Sequence, residues 1–207
     1  MRILWRNDPS VGTLVRPRIL FARSVEEESR YIVRVSPTSS CEQCGFVWDA
    51  IRPTEIPDRL RAATETFVAA IADAREFSST RPSDERWSVN EYGAHLRDVL
   101  ISIRDRIIAA SVQERPTGSP IYRDQRVSLG FYKQDSAHDV ASELTAMSNL
   151  FIRTFESLPT NYEQREFIFS PITPNAVTIL WASAQALHEA EHHLGDVQEN
   201  LRLLRVL

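Results

Sequence analysis

Apolar residues recur every three to four positions through four long stretches of the chain, the spacing that puts them on one face of an α-helix. The first stretch runs from about Pro57 to Arg75, with Leu60, Thr64, Phe67, Val68 and Ile71 on one stripe. The second opens at Ser88-Val89-Asn90-Glu91, where Ser88 and Glu91 are spaced to satisfy each other's free amides as a capping box. Its stripe is Tyr92, Leu96, Val99, Ile103, Ile107 and Ala110, and His95 falls on the same side. The third begins at Ser136-Ala137-His138-Asp139, read as a box of the same kind, and carries Val140, Leu144, Met147, Leu150, Phe151 and Phe155. The fourth is predicted to start at Thr173-Pro174, an N-cap followed by proline in the first turn. Its row of Leu180, Leu187, Leu194 and Leu201 ends near Leu203.

Four amphipathic helices with no convincing strand predict an all-α four-helix bundle. Some 20 residues containing Pro116, Gly118, Pro120 and Gly130 join helices two and three. That link is long enough to cross the bundle, so those two helices need not be antiparallel neighbours. Residues 165–170 are the one candidate for a short strand. Residues 1–40 stand apart: they carry seven arginines against four acids, show no sustained period, and close on Ser36-Pro37-Thr38-Ser39-Ser40. They read as a poorly ordered, irregular extension or a misassigned start, ahead of a bundle domain over 41–207.

Composition narrows the class. A hydrophobic content of 43% with 25% charged residues is that of a globular protein, and no stretch reaches the roughly 18 apolar residues of a membrane span. The start lacks a secretory h-region, so a cytoplasmic location is expected. A net charge of −4 argues against a nucleic-acid partner. Cys41 and Cys44 form a lone CxxC before Gly45. It can be half of a zinc knuckle with no second CxxC to finish it, a redox pair without the βαβ context, or a reduced pair pinning a tight turn. The last is the simplest reading.

The histidines carry the chemistry. His188 and His192 are one turn apart and share a helical face, and His95 lies on another helix. Three imidazoles converging from two helices would hold a divalent cation with one position open, as catalytic sites require. His188-Glu189-Ala190-Glu191-His192 also reads as HExxH, the zinc-protease motif with Glu189 as base. Gln198 stands where the longer form has its third histidine, and no upstream sheet is evident to line a cleft. His193, about 100° around the helix from His192, reads as a packing or surface residue, and His138 is given no role.

Trp87 opening the second helix, His95 eight residues on, and HxxxH in the fourth together resemble the DinB-like (YfiT-like) metalloenzyme superfamily. That superfamily also holds mycothiol-dependent maleylpyruvate isomerases and bacillithiol transferases. Cys41 to Asp49 (CEQCGFVWD) and His192 to Val197 (HHLGDV) resemble an actinobacterial branch of it, and having Lys133 as the only lysine suits such a host. The resemblance implies a bundle in which His95, His188 and His192 hold a divalent metal, zinc or nickel. It also implies a fourth ligand that is water or the thiol of mycothiol or another low-molecular-weight thiol. S-transfer to, or isomerisation of, a small-molecule electrophile follows as the first expectation. A non-catalytic metal-binding stress-response or interaction protein and a metal-dependent hydrolase are the alternatives, and a homodimer is implied. Asp98 and Asp196 lie one turn from the expected ligands and are candidates to hold their outer ring nitrogens. Asp98 can equally form an ion pair with Arg97. Glu191, on the expected inner side of helix four, and Asp124, in the long link, are candidate catalytic carboxylates.

Overall fold

The computed structural model describes residues 40–171 and 175–205. The readings of residues 1–39 and of Thr173-Pro174 fall outside the described residues. Four long helices form the bundle: α1 (Ile56–Ala74), α2 (Val89–Val112), α4 (Ala137–Glu156) and α5 (Ile179–Leu204). A short helix, α3 (Arg123–Ser128), lies in the link between α2 and α4. None of the described helices is long and apolar enough to cross a membrane.

The start signals work as their chemistry dictates. Ser88 Oγ accepts from Glu91 N at 3.2 Å, and Glu91 Oε2 accepts from Ser88 N at 2.8 Å, so the capping box is complete. At α4, Ser136 Oγ accepts from Asp139 N at 3.1 Å, but Asp139 takes the Ser136 hydroxyl at 2.7 Å rather than its amide. Aspartate is one methylene shorter than glutamate, which is why this box is only half made. The fourth long helix, α5, starts at Ile179, where Thr178 Oγ1 accepts from Trp181 N at 3.0 Å, and not at the Thr173-Pro174 expected from the sequence, because the strand Ala176–Thr178 comes between. Upstream of it, β2 (Ala176–Thr178) pairs antiparallel with β1 (Glu166–Ile168), Phe167 opposite Val177. The short strand expected within 165–170 is therefore present, with a partner that the pattern did not announce.

Side-chain pairings give the helix directions. Arg59 pairs with Glu191, and Asp73 with Arg205, so α1 and α5 run parallel. Asn90 reaches the Asp135 carbonyl, Arg97 pairs with Glu143, and Arg104 donates to Thr154, so α2 and α4 run parallel too. His95 meets Glu189 while Trp87 meets Asn200, which makes α2 and α5 antiparallel. The bundle thus consists of two parallel pairs, with α1 and α2 each packed between α4 and α5. A helix of 24 residues is about 36 Å long, so the α2–α4 link must return the chain along that whole length. This is the reason for the long crossover.

Phe67, Phe151, Leu60, Leu96, Leu100, Ile103 and Leu144 are fully buried between the helices, each contributing about 1.5–3 kcal/mol of transfer free energy. Gly93 marks the closest approach: a Cβ there would meet Val140 Cγ1 at 2.7 Å and Ile71 Cδ1 at 3.0 Å. The inner face of α5 differs from expectation. Ile179, Ala182, Ser183, Ala184, Ala186, Leu187, Ala190, Val197 and Asn200 are its fully buried residues, whereas Leu180, Leu194 and Leu201 lie at the margin of the core. This phase turns Glu189 and His193 toward α2.

Candidate metal centre

His95 on α2 is 1% exposed, placed inward by the same stripe that buries Leu96 and Val99. Across the interface Glu189 Oε2 lies 3.2 Å from His95 Nε2 and 3.1 Å from His193 Nε2. Two imidazole nitrogens and one carboxylate oxygen therefore converge within 4.8 Å. The other Glu189 oxygen accepts from Gln185 Nε2 at 2.7 Å, and Gln185 in turn accepts from Trp48 Nε1 at 2.8 Å. Asp196 Oδ2 lies 2.9 Å from His193 Nδ1, fixing the ring so that Nε2 faces the cluster. Trp87 and Tyr92 pack on these rings, Trp87 at 5.3 Å from His95 and Tyr92 at 5.1 Å from His193.

The electrostatics follow from burial opposed by pairing. Burial alone would raise the Glu189 pKa; hydrogen bonds from His193 and His95 outweigh it and hold the carboxyl well below the usual glutamate range. Burial alone would lower His193, yet the bonds to Asp196 and Glu189 raise it to about 9. His188 has no such partners, and burial pushes it down to about 4.

The expected ligands are thus distributed over two places. His188 and His192 come together as the i, i+4 spacing dictates, but their companions are Cys41 and Cys44. His95 is grouped with Glu189 and His193. Glu189 turns away from the His188–His192 face, so the HExxH arrangement of a protease is not assembled. His193, expected as packing or surface, is buried and central, because the inward face of α5 is built on its alanines, with Leu187 the one member of the Leu180, Leu187, Leu194 and Leu201 row that is fully buried.

The carboxylates sort differently from expectation. Asp196 does back an imidazole, lying 2.9 Å from His193 Nδ1 and 3.9 Å from His192 Nε2. Asp98 does not touch His95. It pairs with Arg97 at 3.0 Å, with Arg126, and with the Tyr132 hydroxyl at 2.9 Å, which is the ion-pair reading of that residue. Glu191 is held bidentate by Arg59 at 2.9 and 2.8 Å, which leaves it no part as a base at the cluster. Asp124 is exposed beside Arg123, and the side chain of His138 is 90% exposed.

The donors suit a divalent cation. Two neutral-capable imidazoles with a carboxylate form a set that divalent metals take with a position to spare. Fold and donors together define a helical bundle with a candidate metal site between two of its helices. The family model of the DinB superfamily matches residues 57–197, and the chain belongs to that superfamily. It is similar in fold to YfiT from Bacillus subtilis, described as a probable metal-dependent hydrolase with an unusual four-helix bundle topology. The TM-score is 0.68 at 17% identity, over 83% of this chain and 94% of that one. No curated protein matches the chain.

Proposed function

We propose that this protein is a metal-dependent enzyme whose reactive centre is His95, Glu189 and His193, and that it works on a small electrophile by hydrolysis. The carrying observation is the convergence of two Nε2 atoms on one Glu189 oxygen with Asp196 behind His193. When bound there, a divalent ion would supply Lewis acidity and lower the pKa of a coordinated water toward about 7. The chain's own groups do the rest. Asp196 keeps His193 in the tautomer whose Nε2 faces the centre. Gln185 fixes the Glu189 carboxylate by its second oxygen, and Trp87 and Tyr92 shield both imidazoles from bulk solvent.

Hydrolysis is favoured over thiol transfer by the donor set. Three neutral imidazoles would leave the ion's double charge whole to hold a thiolate. Glu189 cancels one unit of it and matches the two-histidine, one-glutamate set of hydrolytic zinc sites. Support for metal dependence also comes from the YfiT likeness, carried here by fold alone.

The test is hydrolysis of p-nitrophenyl esters by zinc- or nickel-reconstituted protein, run beside conjugation of 1-chloro-2,4-dinitrobenzene with a low-molecular-weight thiol. Ester turnover that is lost in His95→Ala and His193→Ala, together with one equivalent of metal, is expected. Metal-dependent conjugation without hydrolysis would hand the site to thiol transfer. Full metal content in both variants would refute the site itself.

A further inference from the structure

Beyond that centre, we infer a second metal site: Cys41 and Cys44 with His188 and His192 form a closed, tetrahedral Cys2His2 zinc site that clamps the segment before α1 onto α5. Its four donor atoms lie within 4.8 Å of one another, and Cys41 Sγ is 3.7 Å from His192 Nδ1. Ligands about 2.0–2.3 Å from a tetrahedral zinc ion stand about 3.3–3.8 Å apart, so the donors need only tighten slightly.

Three independent features point to an ion. The first is His188, 9% exposed, with both ring nitrogens buried and partnerless. A buried imidazole without partners costs about 1–3 kcal/mol per unsatisfied group, and folded proteins seldom leave one uncompensated. The rings of Phe46 at 5.2 Å and Trp48 at 4.7 Å enclose it, so no bulk water is at hand to satisfy it.

The second is the shape of the CxxC turn. Gly45 N donates to Cys41 O at 2.8 Å and Cys41 N to Phe46 O at 2.8 Å, and Gly45 takes φ +74°. The chain folds back through that glycine, and both thiols point to α5. Space does not demand glycine there, since nothing lies within 4 Å of a Cβ; the backbone angle does.

The third is charge. Two thiolates and two neutral imidazoles neutralise a divalent ion, so the closed site sets no residual charge against the buried His188 while Cys44 remains at the surface. Loading releases the two thiol protons to solvent: Zn2+ plus two R–SH gives Zn(SR)2 and two H+, with the histidines adding nitrogen lone pairs. No position is left for substrate, which separates this site from the open one. Arg59 supports the clamp, as its guanidinium sits 5.7 Å over the Phe46 ring while it holds Glu191 of α5.

The decisive experiment replaces zinc by cobalt in the full chain and records the optical spectrum. The site should show thiolate-to-cobalt charge transfer together with intense tetrahedral bands, and wild type should bind two equivalents of metal. Cys41→Ser/Cys44→Ser should lose one equivalent and the charge-transfer band while keeping the equivalent lost by His95→Ala. Should the double variant fail to fold, alkylation of the wild-type thiols by iodoacetamide serves instead: bound zinc should slow it at least tenfold, and chelation should restore it. Absence of the charge-transfer band, or thiols equally reactive with and without zinc, would overturn the proposal. Loss of ester hydrolysis has no bearing on this site, so its failure and that of the reactive centre are told apart.

Discussion

Glu189→Gln is the sharpest perturbation of the reactive centre, because the wild-type carboxylate is saturated with donors. One oxygen faces His95 Nε2 at 3.2 Å and His193 Nε2 at 3.1 Å, and the other accepts from Gln185 at 2.7 Å. A glutamine has one accepting oxygen. If its amide replaces the oxygen facing the imidazoles, it meets two rings that were donating. If it faces Gln185, two amides confront each other, and flipping Gln185 breaks its 2.8 Å bond from Trp48. At least one charge-assisted bond is lost in either pose, worth about 1.5–3 kcal/mol. The side chain is 16% exposed, so solvent screens little of this. At about 2–4 °C per kcal/mol for a domain of this size, metal-free Glu189→Gln should melt roughly 3–12 °C below its parent. Run in the Cys41→Ser/Cys44→Ser background, calorimetry also isolates the metal increment of this centre. Zinc at 100 times its Kd adds about 2.7 kcal/mol to the parent, roughly 5–11 °C, and should add clearly less to the variant. A metal-free melting point unchanged within a degree would refute the claim that Glu189 joins the two imidazoles.

Gly93→Ala sets about 1 kcal/mol of helix propensity gained against overpacking of about 1–3 kcal/mol where Val140 and Ile71 crowd the new Cβ. Urea unfolding should therefore show net destabilisation of up to about 2 kcal/mol, and a stabilised variant would mean that α4 yields easily. Asp98→Asn should lower stability through its bonds to Arg97, Arg126 and Tyr132 while leaving zinc affinity within about twofold; a tenfold loss, the scale for groups that orient a ligand, would restore the aspartate to His95. Burial raises the Glu91 pKa, but Arg81 and the Ser88 amide outweigh it and leave it lowered in the folded state. Its contribution is thus complete above the unfolded pKa near 4.5 and fades as the pH drops through the folded value. Stability measured from pH 6 downward should fall less steeply in Glu91→Gln than in wild type.

The four helices and the Ser88–Glu91 cap were legible because periodicity and capping are local properties of the chain. Helix direction was not: a stripe names the buried face but is silent on which end meets which, so the two parallel pairs had to be seen. The site was half legible. His188 and His192 do share a face, yet the heptad leucines of α5 suggested an inner side rotated from the true one. Alanines fill that true face, carrying too little hydrophobic signal to compete with leucines. His193 reads as a packing or surface residue for this reason, and Glu189 stands out only as part of HExxH, although the structure sets both beside His95. Cys41 and Cys44 look like half of a donor set in the sequence because the nitrogens that come to stand beside them are remote, His192 lying 151 residues beyond Cys41.

Both donor clusters draw on α5, the latest of the four long helices to leave the ribosome. A nascent chain that has made α1, α2 and α4 exposes two thiols and His95 with no imidazole or glutamate opposite them. On the two proposed sites, metal capture would follow synthesis of α5 rather than guide earlier folding, and a fragment stopping short of that helix is expected to retain no stoichiometric zinc.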